Sequence, residues 1–266
     1  MDGRWLRAGL SLALVALLSL LLPSCVTAPY TGRQQIMLID PAQEAALGER
    51  AALQVTRQSK ISKNPQYNQE VDQVGRRIAR VADRPDFDWE FYVVDDAKTV
   101  NAFCLPGGKV FVYTGMLRFT ETDDELATVM AHEVAHAIAR HGAERMSTAM
   151  VAQAGQAVAA AALNIQSPGA LRAFDVAYGL ATNVGVILPF SRTQEYEADR
   201  IGLIIMAKAG YNPEAAIGFW EKMRSSGDKS SAPAFLSTHP ADDDRLAEIR
   251  RLMPEAMQYY SVKRSQ

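Results

Sequence analysis

The segment HEVAH, residues 132–136, lies in a stretch predicted to be helical and constrains the fold more than any other feature. Residues four positions apart differ by about 40° around a helix, so the imidazoles of His132 and His136 converge on one point. Two histidines at this spacing can hold a metal ion, and Glu133 then lies close enough to polarise a water molecule beside it. A surface helix with two ordinary histidines is the alternative interpretation of so short a pattern.

A catalytic zinc site needs a third protein ligand and one open position. His141 is the first candidate, but it follows His132 by nine residues, or about 900° of rotation, which predicts the opposite face of the helix. We therefore expect His141 to be exposed or hydrogen-bonded rather than a ligand. The metzincin pattern also differs, because its third histidine comes one residue later and it has a glycine where this chain has Ala139.

Two carboxylates four residues apart, Glu195 and Asp199, lie on another predicted helix and are better candidates. One of them can reach the metal while the other accepts a hydrogen bond from the second ring nitrogen of a ligand histidine. Glu197 lies about 200° around the helix from Glu195 and is expected to face away. A solvated acidic face is the alternative, but two acids at this spacing repel each other, and a cation relieves that repulsion.

Four segments of the chain together resemble one family of metallopeptidases. HEVAH and SRTQEYEAD (191–199) resemble the gluzincins of the HtpX, CAAX-prenyl-protease and mitochondrial Oma group, metallopeptidase family forty-eight. NAFCLPGGKVFVYTGML (101–117) resembles the family's NAF–PGG segment, a strand beside the cleft, and STHP (237–240) with Arg245 resembles its C-terminal His-Pro motif. The resemblance extends over roughly residues 40–252, and the leader makes it closest to the periplasmic lipoprotein branch, which is LoiP- and BepA-like.

The resemblance assigns roles to individual residues. It implies one zinc ion per chain with the ligands His132, His136 and Glu195. It makes Glu133 the general base and places Asp199 behind a ligand. It also implies that His239 lies near the metal, where it steadies the oxyanion or occupies the open position; a loop histidine that caps a helix is the alternative. Cys104 departs from the family's common NAFA pattern.

The implied activity is zinc-dependent hydrolysis of polypeptides by water. The predicted strand at 109–114 is suited to binding an extended chain by β-augmentation, with little demand on its sequence. We therefore expect the substrates to be unfolded or misassembled cell-envelope proteins. The alternative is a lipid-anchored assembly factor or chaperone for outer-membrane proteins, in which the peptidase site is latent.

The first 24 residues are predicted to be a lipoprotein signal peptide. Arg4 and Arg7 precede an uncharged apolar run of 15 residues, Ala8 to Leu22, which is short for a membrane-spanning helix of about 20 residues. Leu22-Pro23-Ser24-Cys25 resembles the lipobox of bacterial lipoproteins, in which the cysteine is acylated and the chain is cut before it. A plain cleaved signal or an uncleaved anchor is the alternative, and either also exports the chain.

Lipidation of Cys25 predicts a membrane anchor, a tether over residues 25–39 and a zinc metallopeptidase domain over residues 40–266. We expect the periplasmic face of a Gram-negative envelope. The resemblance to lipoproteins of enteric bacteria, in which aspartate after the cysteine favours the inner membrane, implies the outer membrane here because Val26 follows Cys25. Cys104 is then left without a disulfide partner and is expected to be a free thiol. With 28 basic and 30 acidic residues, the charge balance gives no reason to expect a nucleic-acid partner.

Apolar periodicity and helix-capping residues predict one α+β domain, mostly helical, with a small sheet beside the helix that carries the HEVAH segment. Helices are expected at about 41–60, 65–81, 123–146, 193–209, 213–224 and 241–252, and strands at 89–94 and 109–115. The alanine-rich residues 147–190 predict a closely packed helix or a face against a partner. A membrane hairpin is the alternative, but its apolar run is too short and too weakly apolar.

Overall fold

The computed structural model of this chain describes its residues in three stretches, 25–162, 190–227 and 232–264. The predicted signal peptide, 1–24, and most of the alanine-rich segment, 163–189, lie outside the described residues. Within the three stretches, no helix is both long enough and apolar enough to cross a lipid bilayer.

The described stretches contain five strands, one 3-10 helix and eight α-helices, which we number in chain order. The strands are β1 (Cys25–Thr27), β2 (Gln34–Ile36), β3 (Glu90–Val94), β4 (Ala102–Leu105) and β5 (Lys109–Tyr113). The helices are α1 (Pro41–Gln58), α2 (Pro65–Ala79), α3 (Thr114–Phe119), α4 (Asp123–Ile138), α5 (His141–Ala162), α6 (Arg192–Lys208), α7 (Ala215–Gly227) and α8 (Asp243–Arg264). The 3-10 helix is Ala234–Ser237. The predicted α+β class, mostly helical with a small sheet, is confirmed.

The chain divides into two compact units, and the first contains β1, β2 and α5 from Ala143 onward. In this unit β1 pairs with β2 in an antiparallel arrangement. Arg33 forms an ion pair with Glu144 at 2.5 Å, and the Leu38 N–H donates to Ser147 Oγ at 2.9 Å. Residues expected to form a tether thus include a short two-stranded sheet.

The second unit contains a three-stranded sheet in the order β3-β5-β4. β5 pairs in parallel with β3 and antiparallel with β4, so it has neighbours on both sides. The expectation that β5 receives an added strand is therefore wrong, because its backbone groups are already paired. The strand β4, which was not predicted from its short sequence, forms one edge. It joins β5 through Gly107 and Gly108, whose φ angles of 82° and 89° suit glycine in a tight turn.

Helix α4 lies at the centre of the second unit, and nearly all of its side chains are buried. It begins at the predicted residue, because Thr122 caps its N-terminus by accepting from the Glu125 N–H at 3.2 Å. Helix α6 packs closely against it at Gly202, where an added Cβ atom would lie 3.2 Å from the His132 Cα atom. This close approach brings the side chains of the two helices to one buried point.

Helix α4 ends earlier than predicted, which changes the position of His141. The helix was expected to continue to Met146, but it ends at Ile138 and a new helix starts at His141. Arg140 adopts a positive φ of 57°, a backbone conformation that terminates helices. Its side chain is held by Glu44 of α1, with Nε 2.6 Å from Oε2. The rotation count that placed His141 on the opposite face therefore does not apply.

Candidate active site

The two histidines of α4 both point their Nε2 atoms to one place. The Nε2 atoms of His132 and His136 are 3.1 Å apart, and both rings are almost completely buried. Their spacing of four residues produces this convergence, as the sequence predicted. Their edges are covered by aromatic rings: Phe190 lies over His136 with ring centroids 3.9 Å apart, and Trp220 lies against His132 at 5.5 Å.

Glu195 brings a carboxylate to the same point from α6. Ser191 and Gln194 form a capping box at the start of this helix, which fixes its first turn and therefore the position of Glu195. Glu195 Oε1 lies 3.3 Å from His136 Nε2, and Oε2 lies 3.5 Å from His132 Nε2. Burial raises the pKa of Glu195, but Arg245 and the neighbouring histidines outweigh burial and hold the pKa far below its usual range.

The donor set fits a zinc ion. Four ligand atoms at about 2.0–2.1 Å from a tetrahedral zinc are separated from one another by about 3.3 Å. The ring nitrogens of His132 and His136 and the Glu195 carboxylate oxygens have separations of 3.1 to 3.5 Å. Glu133 Oε1 and Glu195 Oε2 are buried beside nitrogen atoms of His239 and Arg245 but accept no well-aligned hydrogen bond from the described residues, so a cation would complete the contacts of these two acceptors.

His239 completes a four-residue group that could hold a metal. Its Nδ1 atom lies 3.2 Å from His132 Nε2 and 3.0 Å from Glu195 Oε1. The ring is placed by the 3-10 helix, since the His239 N–H donates to Phe235 O at 3.0 Å and the Phe235 ring stacks on the imidazole with centroids 4.4 Å apart. The structure thus brings this loop histidine into the group that could hold a metal.

Glu133 lies beside the metal-binding group and is almost fully buried. Its Oε1 atom is 3.2 Å from His239 Nε2, and the Cys104 backbone N–H of β4 donates a hydrogen bond to the carboxylate. Burial raises the pKa of Glu133, and the nearby histidines His239 and His132 oppose this only in part. A carboxylate with a raised pKa next to a metal-binding group is suited to proton transfer.

Behind His132, a buried ion pair fixes the ring from its other side. Asp199 Oδ1 lies 3.0 Å from His132 Nδ1. Arg245 of α8 binds Asp199 with two nitrogens, Nε at 2.7 Å and Nη2 at 2.8 Å, and its Nη1 lies 2.6 Å from Glu195 Oε2. Burial lowers the pKa of His132, but the hydrogen bonds with Asp199 and Glu195 outweigh burial and raise the pKa to about 9.

Behind His136, a different set of residues takes this place, and the sequence did not predict it. His141 is fully buried, with its Nδ1 atom 2.9 Å from His136 Nδ1 and its Nε2 atom 2.9 Å from Glu197 Oε2. His141 was expected to be exposed or hydrogen-bonded on the opposite face; it is hydrogen-bonded but lies directly behind a candidate ligand. Glu197 does face away from Glu195, but it is buried rather than solvated. Thr31 donates a further hydrogen bond to Glu197 Oε1.

Two cysteines were singled out from the sequence. Cys104 is a free, partly buried cysteine whose thiol donates to Leu105 O at 3.5 Å. Burial and the Glu133 carboxylate raise the pKa of the thiol, so it stays protonated and unreactive at neutral pH. Cys25 is the first described residue and begins β1, but its side chain lies outside what the structure describes.

Comparison with known proteins agrees with the geometry. The model of Peptidase family M48 matches residues 65–253. Mitochondrial metalloendopeptidase OMA1 of Schizosaccharomyces pombe is 43% identical over 187 residues, which are 70% of this chain and 53% of that protein. Beta-barrel assembly-enhancing protease of Yersinia pestis is 31% identical over 235 residues, 86% of this chain and 48% of that protein. The Escherichia coli protein of that name is 30% identical over 232 residues, 85% and 47% of the two chains.

The chain spans about half the length of the curated relatives it matches. The family match, by contrast, covers most of this chain and includes both helices that meet at the site, α4 and α6. The predicted membership is confirmed: this chain belongs to Peptidase family M48.

Proposed function

We propose that this chain is a zinc-dependent endopeptidase that cleaves unfolded or misassembled proteins of the bacterial cell envelope. The observation that carries the proposal is the meeting of His132, His136 and Glu195 around one buried point, with Glu133 beside it. Two imidazoles and one carboxylate are the ligand set of catalytic zinc sites that hydrolyse peptide bonds. Family membership and the relatives named metalloendopeptidase or protease support the same reaction class.

In the proposed hydrolysis, the bound zinc ion and Glu133 have separate roles. When bound, zinc acts as a Lewis acid that polarises the scissile carbonyl and makes water more acidic. Glu133 takes a proton from the attacking water and later gives it to the leaving amine. The oxygen of the water first bonds to the carbonyl carbon, and the C–N bond then breaks as the leaving amine takes the proton from Glu133, so no covalent bond to the protein is formed. The raised pKa of Glu133 suits a group that must both accept and return a proton.

The edge strand β4 is the best candidate for holding the substrate. Tyr113 N–H donates to Asn101 O, so the backbone groups of alternate residues, Ala102 and Cys104, point away from β5. The Cys104 N–H faces Glu133, which puts this edge next to the general base. An extended polypeptide added here would pass the metal-binding group, and main-chain pairing would demand little of its sequence.

A second candidate, an assembly factor or chaperone with a latent peptidase site, is favoured by the position of His239. Its two ring nitrogens contact the donor group and Glu133 at once, so a substrate carbonyl can reach the site only after the ring moves. We therefore propose that the site rests in a closed form and that displacement of His239 opens it. Once displaced, the imidazole can still stabilise the oxyanion from nearby.

Localisation is proposed from the leader and the relatives. The lipobox-like segment ending at Cys25 supports a lipid anchor on the periplasmic side, with the outer membrane favoured. Relatives named beta-barrel assembly-enhancing protease fit this location, whereas the relatives named OMA1 are mitochondrial. Replacement of Cys25→Ser in cells should release the protein from membranes into the soluble fraction. Unchanged membrane retention of the variant would contradict lipidation.

The decisive test is cleavage of casein and of unfolded outer-membrane proteins by purified wild type and Glu133→Gln, with metal analysis of both. We expect one zinc per chain in both proteins and a loss of cleavage of at least a thousandfold in the variant, because the general base is gone. Equal cleavage would contradict the mechanism. His239→Ala is the third arm: faster cleavage supports the closed resting form. Zinc binding without cleavage in any arm, together with suppressed client aggregation, would favour the assembly factor.

A further inference from the structure

We propose that His141 and Glu197 act together as a positioning pair that fixes the ring tautomer of His136 and thereby sets the affinity of the site for zinc. The inference rests on the proposed function, since it concerns the same metal site. Neither residue belongs to the four-residue group that could hold a metal, and both are buried. We refer to the chain of contacts from Glu197 through His141 to His136 as the relay.

The direction of each hydrogen bond follows from the chemistry of the partners. A carboxylate only accepts hydrogen bonds, so the contact of 2.9 Å between Glu197 Oε2 and His141 Nε2 requires the proton on His141 Nε2. When His141 is a neutral imidazole, its Nδ1 carries no proton and accepts from its neighbour. Because that atom is 2.9 Å from His136 Nδ1, this form of His141 requires the proton of His136 on Nδ1.

The consequence concerns the nitrogen that faces the metal. With its proton on Nδ1, His136 presents a bare Nε2 lone pair to the point where His132 Nε2 and Glu195 meet it, at 3.1 and 3.3 Å. The wrong tautomer would put a proton at that point and prevent coordination. The relay thus makes His136 ready to bind, in the way that carboxylate-backed histidines serve metals generally, but through one additional imidazole.

The fold provides this arrangement through two local features. The positive φ of Arg140 ends α4 and turns His141 back behind His136. The spacing of two residues on α6 then places Glu195 on the metal side and Glu197 on the relay side of the same helix turn. Thr31 donates to the second oxygen of Glu197, which orients the carboxylate at the far end of the relay.

The test uses Glu197→Gln, because glutamine has nearly the same size as glutamate. A carboxylate can only accept hydrogen bonds, whereas the amide of glutamine can accept or donate them. A neutral amide can also donate to His141 Nε2, which permits the opposite tautomer along the whole relay. The first measurement is the zinc dissociation constant of the purified full chain, by competition with a chelating indicator. We expect it to rise about 10- to 100-fold, the usual effect of losing a residue that orients a ligand.

The second measurement observes the tautomer itself in the metal-free protein. The chain has four histidines, so the ring ¹⁵N resonances of a histidine-labelled sample can be assigned. We expect one tautomer at His136 in the wild type, protonated at Nδ1, and a mixture in Glu197→Gln. This readout does not depend on catalysis or on metal binding, so it tests the relay even where the proposed peptidase activity fails.

Two further variants separate positioning from general stability. Glu125→Gln is the matched control, because Glu125 is partly buried and pairs with Lys222 at 2.7 Å in the first turn of α4, away from the relay. It should keep wild-type zinc affinity even where it unfolds more easily. His141→Ala should weaken zinc binding at least as much as Glu197→Gln, and the double variant should be no weaker than His141→Ala, because residues in series are not additive.

The outcomes decide the proposal. Weaker zinc binding and mixed tautomers in Glu197→Gln, with neither in Glu125→Gln, would establish the relay. Wild-type affinity and a single tautomer in a folded Glu197→Gln would overturn it. Equal losses of zinc affinity in Glu197→Gln and Glu125→Gln would also overturn it, because the cause would then be general destabilisation. Intact zinc binding in the wild type without any peptide cleavage would contradict the proposed function and leave the relay standing.

Discussion

The two candidate histidine ligands are held from behind by chemically different means. His132 contacts a carboxylate directly, since Asp199 is 3.0 Å from its Nδ1, and Arg245 neutralises that carboxylate. His136 instead contacts a second imidazole, and its carboxylate, Glu197, lies one residue further away. On the His132 side the support is ionic, whereas on the His136 side it is a chain of hydrogen bonds.

This difference has electrostatic consequences for the two rings. The direct carboxylate contacts of His132 outweigh burial and raise its pKa to about 9. Burial lowers the pKa of His136 well below its usual value, because its contacts with Glu195 oppose desolvation only in part and the neighbouring His132 and His141 lower the pKa further. Zinc needs an unprotonated nitrogen on both rings. The His132 side therefore attracts positive charge to the site, whereas the His136 side supplies a ring that is already neutral.

Removal of the arginine should have the largest effect on stability. In Arg245→Met, the buried carboxylates of Asp199 and Glu195 lose their common cation, and breaking a buried pair in this way costs about 3–5 kcal/mol. The free energy of unfolding of the metal-free protein, measured in urea, should fall by about that amount. Saturating zinc should reduce this loss of stability, because the bound ion compensates the negative charge of the Glu195 carboxylate.

The control for this variant is Arg200→Met. Arg200 pairs with Glu255 at 2.8 Å, but both side chains are about one-third exposed, at 36% and 35%. An exposed pair contributes at most about 1 kcal/mol, so this variant should change the free energy of unfolding little. Similar losses in both arginine variants would contradict the ionic description of the His132 side.

A direct contact should matter more for zinc affinity than a relayed one. Asp199→Asn keeps the size of the side chain but removes the charge that His132 and Arg245 share. We expect its zinc dissociation constant to rise toward the upper end of the 10- to 100-fold range typical of such residues, and that of Glu197→Gln toward the lower end. Competition titrations on both variants measure this order, with Asp72→Asn, an exposed partner of Arg76, as the control. The reverse order would mean that the relay is the stronger support.

The sequence predicted the His132 side of the site better than the His136 side, for a physical reason. Helical periodicity pairs His132 with His136 and Glu195 with Asp199, because it acts over four residues and needs no knowledge of the fold. The family resemblance, rather than periodicity, made Glu195 the expected ligand and put Asp199 behind a histidine. Glu197 was correctly expected to face away from Glu195, but periodicity cannot say what lies in that direction. Its partner could be found only from the packing of the two helices.

His141 shows where periodicity fails. The rotation count assumed a continuous helix, whereas Arg140 ends α4 with a positive φ and is held by Glu44, which is 96 residues away in sequence. A non-glycine residue in this conformation gives little signal in a single sequence. The strand β4 was missed for a related reason, since four residues with one cysteine form a strand only because β5 pairs with them.

The smallest expected effect lies at the far end of the relay, where Thr31 meets Glu197. In Thr31→Val the carboxylate loses one donor but keeps its contact with His141, so the tautomer of His136 should remain fixed. We expect the zinc dissociation constant to change by less than about threefold, well below the effect of Glu197→Gln, because the lost hydrogen bond orients only the far end of the relay and not a ligand. Thr56→Val, whose hydroxyl donates to carbonyls of its own helix, is the control.

Thr31 lies six residues after Cys25, so a change as large as that of Glu197→Gln would mean that the segment following the proposed lipid anchor governs the metal site. The relay would then extend to the membrane-proximal end of the chain, and the His136 side would be the regulated side of the site.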